Sequence, residues 1–170
     1  MSHKILEIVK KEGKMPYVDT TVDFDKSFAE IQQLLRKFGC GDVFTRSQAS
    51  TVPKIKVPCT IHSIGFVHKG SKFLIEFPVT VVVQGREGSE KRVVNMNISG
   101  RIILNKVKAL LVDVEIGHLT FEQSMLPYQL ITDRTGRTLT ITDMVDENRN
   151  KLKDVGAMEC LMLSGGINPP

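Results

Sequence analysis

The sequence predicts an α+β fold, a single domain in which two main helices pack on a small antiparallel sheet. Three observations lead to this prediction. The 170 residues, 41% hydrophobic and 25% charged, are enough to bury one core. Apolar residues recur at helical spacing in residues 28–38, and they alternate as in paired strands in residues 55–77. The chain shows no internal repeat or linker, so we assign residues 17–166 to one domain.

Residues 1–16 are expected to form an extension before this domain, and residues 167–170 a flexible tail. Residues 1–14 can form a short amphipathic helix, which Gly13 and Pro16 would end. The segment lacks the apolar centre of a signal peptide, and no run approaches the roughly 18 apolar residues of a membrane helix. We therefore expect a cytoplasmic protein without a membrane partner.

The clearest element is a helix over residues 27–38. Asp23 or Asp25 can accept hydrogen bonds from the amides of its first turn, and Gly39 can supply the left-handed residue that ends it. Its polar side chains lie opposite one apolar stripe, which must pack on the rest of the fold. The stripe consists of Phe28, Ile31, Leu34, Leu35 and Phe38.

Strand patterns follow this helix. Residues 43–46 predict a short strand and residues 47–54 a loop, because Ser, Thr and Pro are dense there. Residues 55–67 and 73–77 then predict a hairpin around a turn at residues 69–71.

Residues 79–83 predict an edge strand, since the preceding Pro78 cannot donate to a ladder. An exposed edge strand can pair with the same strand of a second copy. A homodimer is therefore compatible with the sequence.

Beyond residue 90 the pattern has two interpretations. Residues 93–98 fit the return strand of a hairpin, but they also begin a helical spacing that continues to Val114. We favour a helix over residues 95–116 that ends at Gly117. Gly100 within this helix costs about 1 kcal/mol relative to alanine, which tertiary packing can offset.

The C-terminal part predicts short elements. Thr120 and Gln123 have the spacing of a capping box, so a short helix should follow, and Pro127 should stop it. Thr142 is expected to cap the last helix. The remaining predictions are a strand at residues 128–132, a turn at 133–136, an extended segment at 138–141 and a helix at 143–153.

A series of short motifs runs through the chain: DTTVDFDKS (19–27), AEI (29–31), LLRKFG (34–39), IGF (64–66), KFLIEFP (72–78), KVKALL (106–111), TFE (120–122), LPY (126–128) and GRT (136–138). In this order they resemble a family of small proteins of bacteriophages, prophages and other mobile elements. The resemblance covers residues 18–145, and the chain departs from it by extra residues at 47–58 and by its N-terminal extension. No activity is established for that family. The resemblance therefore implies an origin and a compact α+β fold, and it carries over no site residue.

Cysteines and histidines offer one candidate metal site. Cys59 and His62 have the spacing of half a zinc site, and His68 follows nearby. On a strand, however, positions three apart face opposite sides, so ordinary strand residues are the better interpretation. Cys40 has no identifiable histidine partner for nucleophilic chemistry. With Cys160 the chain has three cysteines, an odd and widely spaced set that argues against a disulfide framework.

Acidic residues offer one candidate catalytic group. Asp143, Asp146 and Glu147 can converge on one helix face, but the helix dipole already favours acidic residues in a first turn. Asp113 and Glu115 lie two apart on a helix and should point in different directions. None of the motifs for nucleotide binding, zinc proteases or serine hydrolases is present. We therefore predict no catalytic residue, metal ligand or cofactor.

The net charge of +4 is unevenly distributed: +3 in residues 1–60, +5 in residues 61–110 and −4 in residues 111–170. Basic residues on predicted loops and strand ends could bind phosphates if they share one face. With eight Phe, two Tyr and no Trp, a stacking platform for single strands has little support. The candidate nucleic-acid-binding residues are Lys54, Lys56, Lys69, Lys72, Arg86, Lys91 and Arg92.

The sequence thus favours a non-catalytic accessory or interaction protein of phage or mobile-element origin, with an unknown protein partner. The first alternative is a nucleic-acid-binding protein that uses its basic N-terminal and central residues. The second alternative is an enzyme whose site is assembled from distant residues.

Overall fold

The computed structural model describes residues 5–9, 17, 19–52, 56–84, 91–133 and 135–155. Within them lie four α-helices, one 3₁₀ turn and eight strands in three small sheets, which confirms the α+β class. No helix in this part of the chain is long and apolar enough to cross a bilayer. The elements are β1 (Ile5–Val9), α1 (Phe24–Lys37), β2 (Gly41–Val52), β3 (Val57–His68), β4 (Ser71–Glu76), β5 (Val79–Gln84), β6 (Lys91–Val94), α2 (Met96–Glu115), α3 (Phe121–Met125), the 3₁₀ turn (Leu126–Tyr128), β7 (Leu130–Thr132), β8 (Thr138–Thr140) and α4 (Ile141–Val155).

The main sheet is antiparallel, with the strand order β2-β3-β4. The predicted hairpin is confirmed: β3 and β4 are joined by Lys69 and Gly70, whose φ angles of +46° and +82° are typical of a two-residue hairpin turn. The prediction of a loop at residues 47–54 is wrong for residues 47–52, which belong to β2. These residues are polar on both sides, but they pair with β3 along its length, so ladder hydrogen bonds and not apolar burial define the strand.

The second sheet has the order β1-β5-β6 and corrects two expectations. Residues 79–83 do not form an edge strand, because β5 lies between a parallel partner, β1, and an antiparallel partner, β6. Ile5–Val9 is a strand and not part of an N-terminal helix. Its β-branched residues suit a strand, and β5 supplies the ladder that a single sequence does not show.

The ambiguous segment after residue 90 contains both predicted structures. Residues 91–94 form the return strand β6, and α2 begins directly after Asn95. The side chain of Asn95 accepts a hydrogen bond from the backbone N–H of Asn97 at 3.1 Å, which caps the new helix. Gly117 follows the helix with a φ of +74°, as predicted for its end.

The core lies where α1 and α2 pack on one face of the main sheet, called here the inner face. The two helices cross at Gly100, where an added Cβ would lie 3.1 Å from the Phe24 ring and 3.2 Å from the Cβ of Ser27. Any larger residue would have to displace these side chains by at least a few tenths of an ångström. The most deeply buried core residues are Ile31, Leu35, Ile64, Phe66, Phe73, Ile75, Leu104, Val107 and Met125.

Helix ends agree with the sequence in part. The capping box of Thr120 and Gln123 is confirmed. The N-terminus of α1 is capped differently, because Asp23 makes no side-chain bond and the N–H of Phe24 donates to Asn97 Oδ1 at 2.8 Å. This acceptor belongs to α2, so the residues around the start of α1 do not predict it.

The start of α4 also differs from the prediction. Thr140, and not Thr142, accepts a hydrogen bond from the N–H of Asp143, at 3.1 Å. The Thr142 hydroxyl donates instead to the carbonyl oxygen of Pro127 at 2.8 Å and ties α4 to the 3₁₀ turn. The flexible tail predicted for residues 167–170 lies outside the described residues.

Candidate functional site

A cleft of about 260 Å³ opens beside the edge of β4. Its walls come from β4, α2, the 3₁₀ turn, the end of β8 and the first turn of α4. Strand β4 ends at Glu76, Pro78 follows it, and Phe73 forms an isolated bridge with Gln129 at this edge. The lining residues are Leu74, Glu76, Phe77, Pro78, Ile102, Ile103, Lys106, Pro127, Tyr128, Thr140, Thr142 and Asp143.

The floor of the cleft is apolar. Phe77 and Ile103 are buried members of the core and present one side to the cleft. Ile102 and Tyr128 are half-buried, so their surfaces remain available to a ligand. Residues from the end of β4, from α2 and from the 3₁₀ turn thus line the same cleft.

The rim of the cleft is polar and charged. The Lys106 ammonium lies 5.2 Å from the centre of the Tyr128 ring, a cation–π distance. Asp143 Oδ2 accepts a hydrogen bond from the Thr140 hydroxyl at 2.7 Å. Lys106 is exposed, and its charge can reach a ligand above the cleft.

A second depression of about 470 Å³ lies between the β7–β8 hairpin and α4. Its charged groups bind one another. Asp133 accepts hydrogen bonds from the hydroxyl of Thr135 at 2.6 Å and from Arg137, and these bonds lower the pKa of its carboxyl to about 2. Arg137 also binds Glu147 at 2.7 Å, which raises the pKa of the guanidinium. This network stabilises the hairpin and leaves few groups for a ligand.

The candidate metal and nucleophilic groups are not assembled into a site. Burial raises the pKa of the Cys40 thiol to about 12, which keeps it protonated and unreactive. His62 Nδ1 lies 3.0 Å from the Ser47 hydroxyl, and burial lowers the pKa of His62. His68 Nδ1 is 3.1 Å from Glu122 Oε1, an ion-pair distance without hydrogen-bond geometry. The described residues hold no group of three His, Cys, Asp or Glu side chains that could bind a metal.

Two of the three candidate carboxylates of α4 bind other groups, and the third, Asp146, is exposed. Asp143 is bound to Thr140, and Glu147 to Arg137. On α2, Asp113 lies 3.7 Å from His118 while Glu115 lies 2.8 Å from Lys37 of α1. The expectation that Asp113 and Glu115 point in different directions is confirmed.

The predicted nucleic-acid-binding residues lie in several places. Lys56 precedes β3 and Lys69 follows it, so the 12-residue strand separates them by about 40 Å. Lys69 lies 3.4 Å from Glu122. Lys72 is exposed on β4, Lys91 and Arg92 are exposed on β6, and Lys54 and Arg86 lie outside the described residues.

The main sheet brings together residues that sequence reasoning missed. Phe44 pairs with Gly65, Arg46 with Ser63, and Lys72 with Val67. Since paired residues share a face, Phe44, Arg46 and Lys72 all lie on the side away from the core, called here the outer face. Phe44 is 52% exposed, and its ring lies against Gly65, where an added Cβ would be 2.1 Å from it. Only the cross-strand register reveals this group.

No protein-family model, curated protein or solved structure matches the chain. The resemblance to phage and mobile-element proteins therefore stays a prediction.

Proposed function

We propose that the chain is a non-catalytic accessory protein of phage or other mobile-element origin that binds a protein partner through the cleft beside β4. The observation that carries this proposal is the composition of the cleft. An apolar floor, which includes Ile102 and Phe77, lies below a rim with the exposed Lys106 and the carboxylate of Asp143. Buried apolar contacts inside a polar rim are the usual anatomy of a protein interface.

The size of the cleft supports a side chain as its ligand. At about 260 Å³ it lies below the roughly 300–1,000 Å³ of pockets that enclose drug-sized ligands. One apolar or aromatic side chain of a partner would fill it. The neighbouring backbone of that partner would then pass the Lys106 ammonium.

The local chemistry supports binding over catalysis. Asp143 is held by the Thr140 hydroxyl, and Thr142 is held by the Pro127 carbonyl. These bonds hold the cleft wall in place. Lys106 supplies the charge that a partner would contact. Cys40, which is buried with a raised pKa, belongs to the core and not to the cleft.

The test is a selection of peptides from a random library on the purified protein. Selected peptides should share an apolar anchor residue, and Ile102→Glu should weaken their binding by about tenfold or more, because it places a charge on the apolar floor. Lys106→Glu should change which charges are selected beside the anchor. Val112→Glu makes the same change at a residue of α2 that is 51% exposed and outside the cleft, and it should leave binding unaltered.

Two results would contradict this proposal. Peptides whose binding is equally insensitive to Ile102→Glu and Val112→Glu would show that the cleft is not the binding site. Hydrolysis of a nucleotide, peptide or nucleic acid that is lost on changing one residue would show an enzyme instead.

A specific observation favours nucleic-acid binding as the second candidate function. An exposed ring and two cations, Phe44, Arg46 and Lys72, lie on the outer face, and neither cation forms an ion pair within the described chain. A base could stack on Phe44 while phosphates approach the cations. Fluorescence polarisation with a single-stranded oligonucleotide should then show binding that weakens steeply with salt. Phe44→Ala should reduce it, and Lys26→Glu on the exposed side of α1 should not.

A further inference from the structure

Strand β2 forms a long edge of the main sheet. Its 12 residues are about twice the usual five or six. Among the described strands, its ladder partner is β3 alone. Every residue from 41 to 51 is exposed or half-exposed. An edge of this length is a template for another strand.

The other sheet edges are shorter or protected. Strand β4 is bridged to Gln129, β1 has five residues, and β6 has four residues and begins with two basic ones. By contrast, β2 has no Pro or Lys to prevent pairing. Its register shifts only between Gly41 and Phe44, which leaves residues 44–52 as a regular strand. This segment is therefore the least protected edge in the described part of the chain.

The hydrogen bonds of β3 show which backbone groups of β2 point away from the sheet. The carbonyl oxygen of His62 accepts a bond from Phe77 N at 2.9 Å, so the backbone groups of His62 face β4. These groups alternate along a strand. Those of Ile61 therefore face β2, and those of its partner Gln48 face β3. The β2 residues with outward N–H and C=O groups are Thr45, Ser47, Ala49 and Thr51.

We propose that two copies of this chain associate through β2, paired antiparallel about a two-fold axis at Gln48. Gln48 is the centre of the regular segment 44–52, so this axis pairs the whole segment. The outward backbone groups of each copy then meet those of the other, and two three-stranded sheets become one. The hydrogen-bonded pairs are Ser47 with the partner's Ala49 and Thr45 with the partner's Thr51.

In this register the side chains of β2 are complementary to those of the partner's β2. Phe44, which is 52% exposed, is paired with position 52 of the partner in this register. Arg46 lies opposite the partner's Ser50, and Gln48 lies opposite its own copy. An axis at Arg46 would place two guanidinium groups opposite each other, which is destabilising. This self-complementarity favours a second copy of the chain over a strand of another protein.

A charge exchange at the axis tests both the interface and its register. The mass of the full chain is measured by sedimentation over a concentration series. The wild-type chain should form a dimer. Gln48→Lys alone and Gln48→Glu alone should each weaken it, the first by about tenfold or more, because like charges then meet at the axis. An equimolar mixture of the two variants should restore the dimer, since opposite charges then meet.

Gln33→Lys is the matched control, because Gln33 is exposed on α1 and the change of charge is the same. It should leave the dimer intact. Thermal unfolding of each variant checks that the fold is unchanged. A wild-type chain that remains monomeric overturns the proposal. A dimer that is insensitive to both Gln48 variants, or that is not restored by mixing them, also overturns it.

Discussion

At the scale of single residues, His62 joins the main sheet to the first helix. Its ring lies 4.7 Å from the Phe24 ring, and its Nδ1 lies 3.0 Å from the Ser47 hydroxyl. Burial lowers the pKa of His62 from its ordinary value of 6.5, against the opposing charge of Asp25. The neutral imidazole is therefore the form that fits the fold.

The stability of the protein should depend on pH through His62. Because the pKa is lowered on folding, the unfolded chain binds more protons as the pH falls below about 6.5. The contribution of His62 is thus complete above this pH and is lost as the pH falls through the folded pKa. The free energy of unfolding measured at neutral pH should exceed that measured near pH 5.

The control for this prediction is His62→Asn, which keeps a polar group beside Ser47 but does not titrate. The difference in unfolding free energy between the two pH values should be smaller in this variant. An identical difference in both proteins would contradict the prediction.

At the scale of elements, the capping box fixes the position of α3. Thr120 Oγ1 accepts from Gln123 N at 3.2 Å, and Gln123 Oε1 accepts from Thr120 N at 2.9 Å. The short helix carries Phe121 and Met125 into the core. Five residues are too few to form a stable helix alone, so the cap and the core contacts stabilise it together.

Thr120→Ala should lower the free energy of unfolding by about 1 kcal/mol, because it removes the acceptor for the Gln123 amide. Thr120→Ser keeps the hydroxyl and should retain most of the stability. Urea denaturation of both variants measures the difference. Equal stability of the alanine and serine variants would show that the cap contributes nothing.

Helices α1 and α2 meet closely at Gly100, where even a Cβ would press on Phe24 and Ser27. Gly100→Val should therefore destabilise the protein by about 2–3 kcal/mol, since it forces the helices apart. Ala109→Val places the same side chain on the exposed side of α2 and should cost only about 0.5 kcal/mol, from helix propensity. Thermal and urea denaturation compare the two variants. If they are equally stable, the helices are not in close contact at Gly100.

At the scale of the whole molecule, β5 connects the second sheet to both α2 and the main sheet through two small apolar clusters. Its Thr80 hydroxyl lies 2.6 Å from the Ser99 hydroxyl of α2, and Val82 packs on Ile98 of the same helix. On the other side, Val79 and Val81 pack on Ile61 of β3. The second sheet therefore contacts α2 through one face of β5 and Ile61, on the outer face of the main sheet, through the other.

Deletion of residues 1–9 should destabilise the whole molecule by about 2–4 kcal/mol, because β5 loses the ladder of its parallel partner. Deletion of residues 1–4 leaves β1 in place and serves as the control. Urea denaturation gives both free energies. A chain without residues 1–9 that is as stable as the control would show that β1 does not contribute to the fold.

Local patterns were enough to predict the class of the fold but not its connections. The stripe of α1, the β3–β4 hairpin and the Thr120 cap are encoded within a few residues, and each was predicted. The position of β5 inside a sheet depends on β1, some 75 residues away. The full length of β2 depends on its ladder with β3, since its own residues are polar. Neither partner is visible in a single sequence.

The candidate site was missed for a related reason. Ile102, Lys106 and Tyr128 look like ordinary helix and turn residues, and only the tertiary fold brings them to one cleft. The two prolines beside it, Pro78 and Pro127, were recognised as breaks in their elements. They indicate where these elements end, but they do not predict which elements face each other across the cleft.

The parallel pairing of β1 with β5 also sets an order of events during synthesis. A ribosome makes the chain from its N-terminus, so residues 5–9 leave the exit tunnel long before residues 79–84 are joined to the growing chain. Until then the first strand has no place to dock. Its attachment is therefore a long-range step, whereas the β3–β4 hairpin pairs neighbouring segments across a two-residue turn and can form locally.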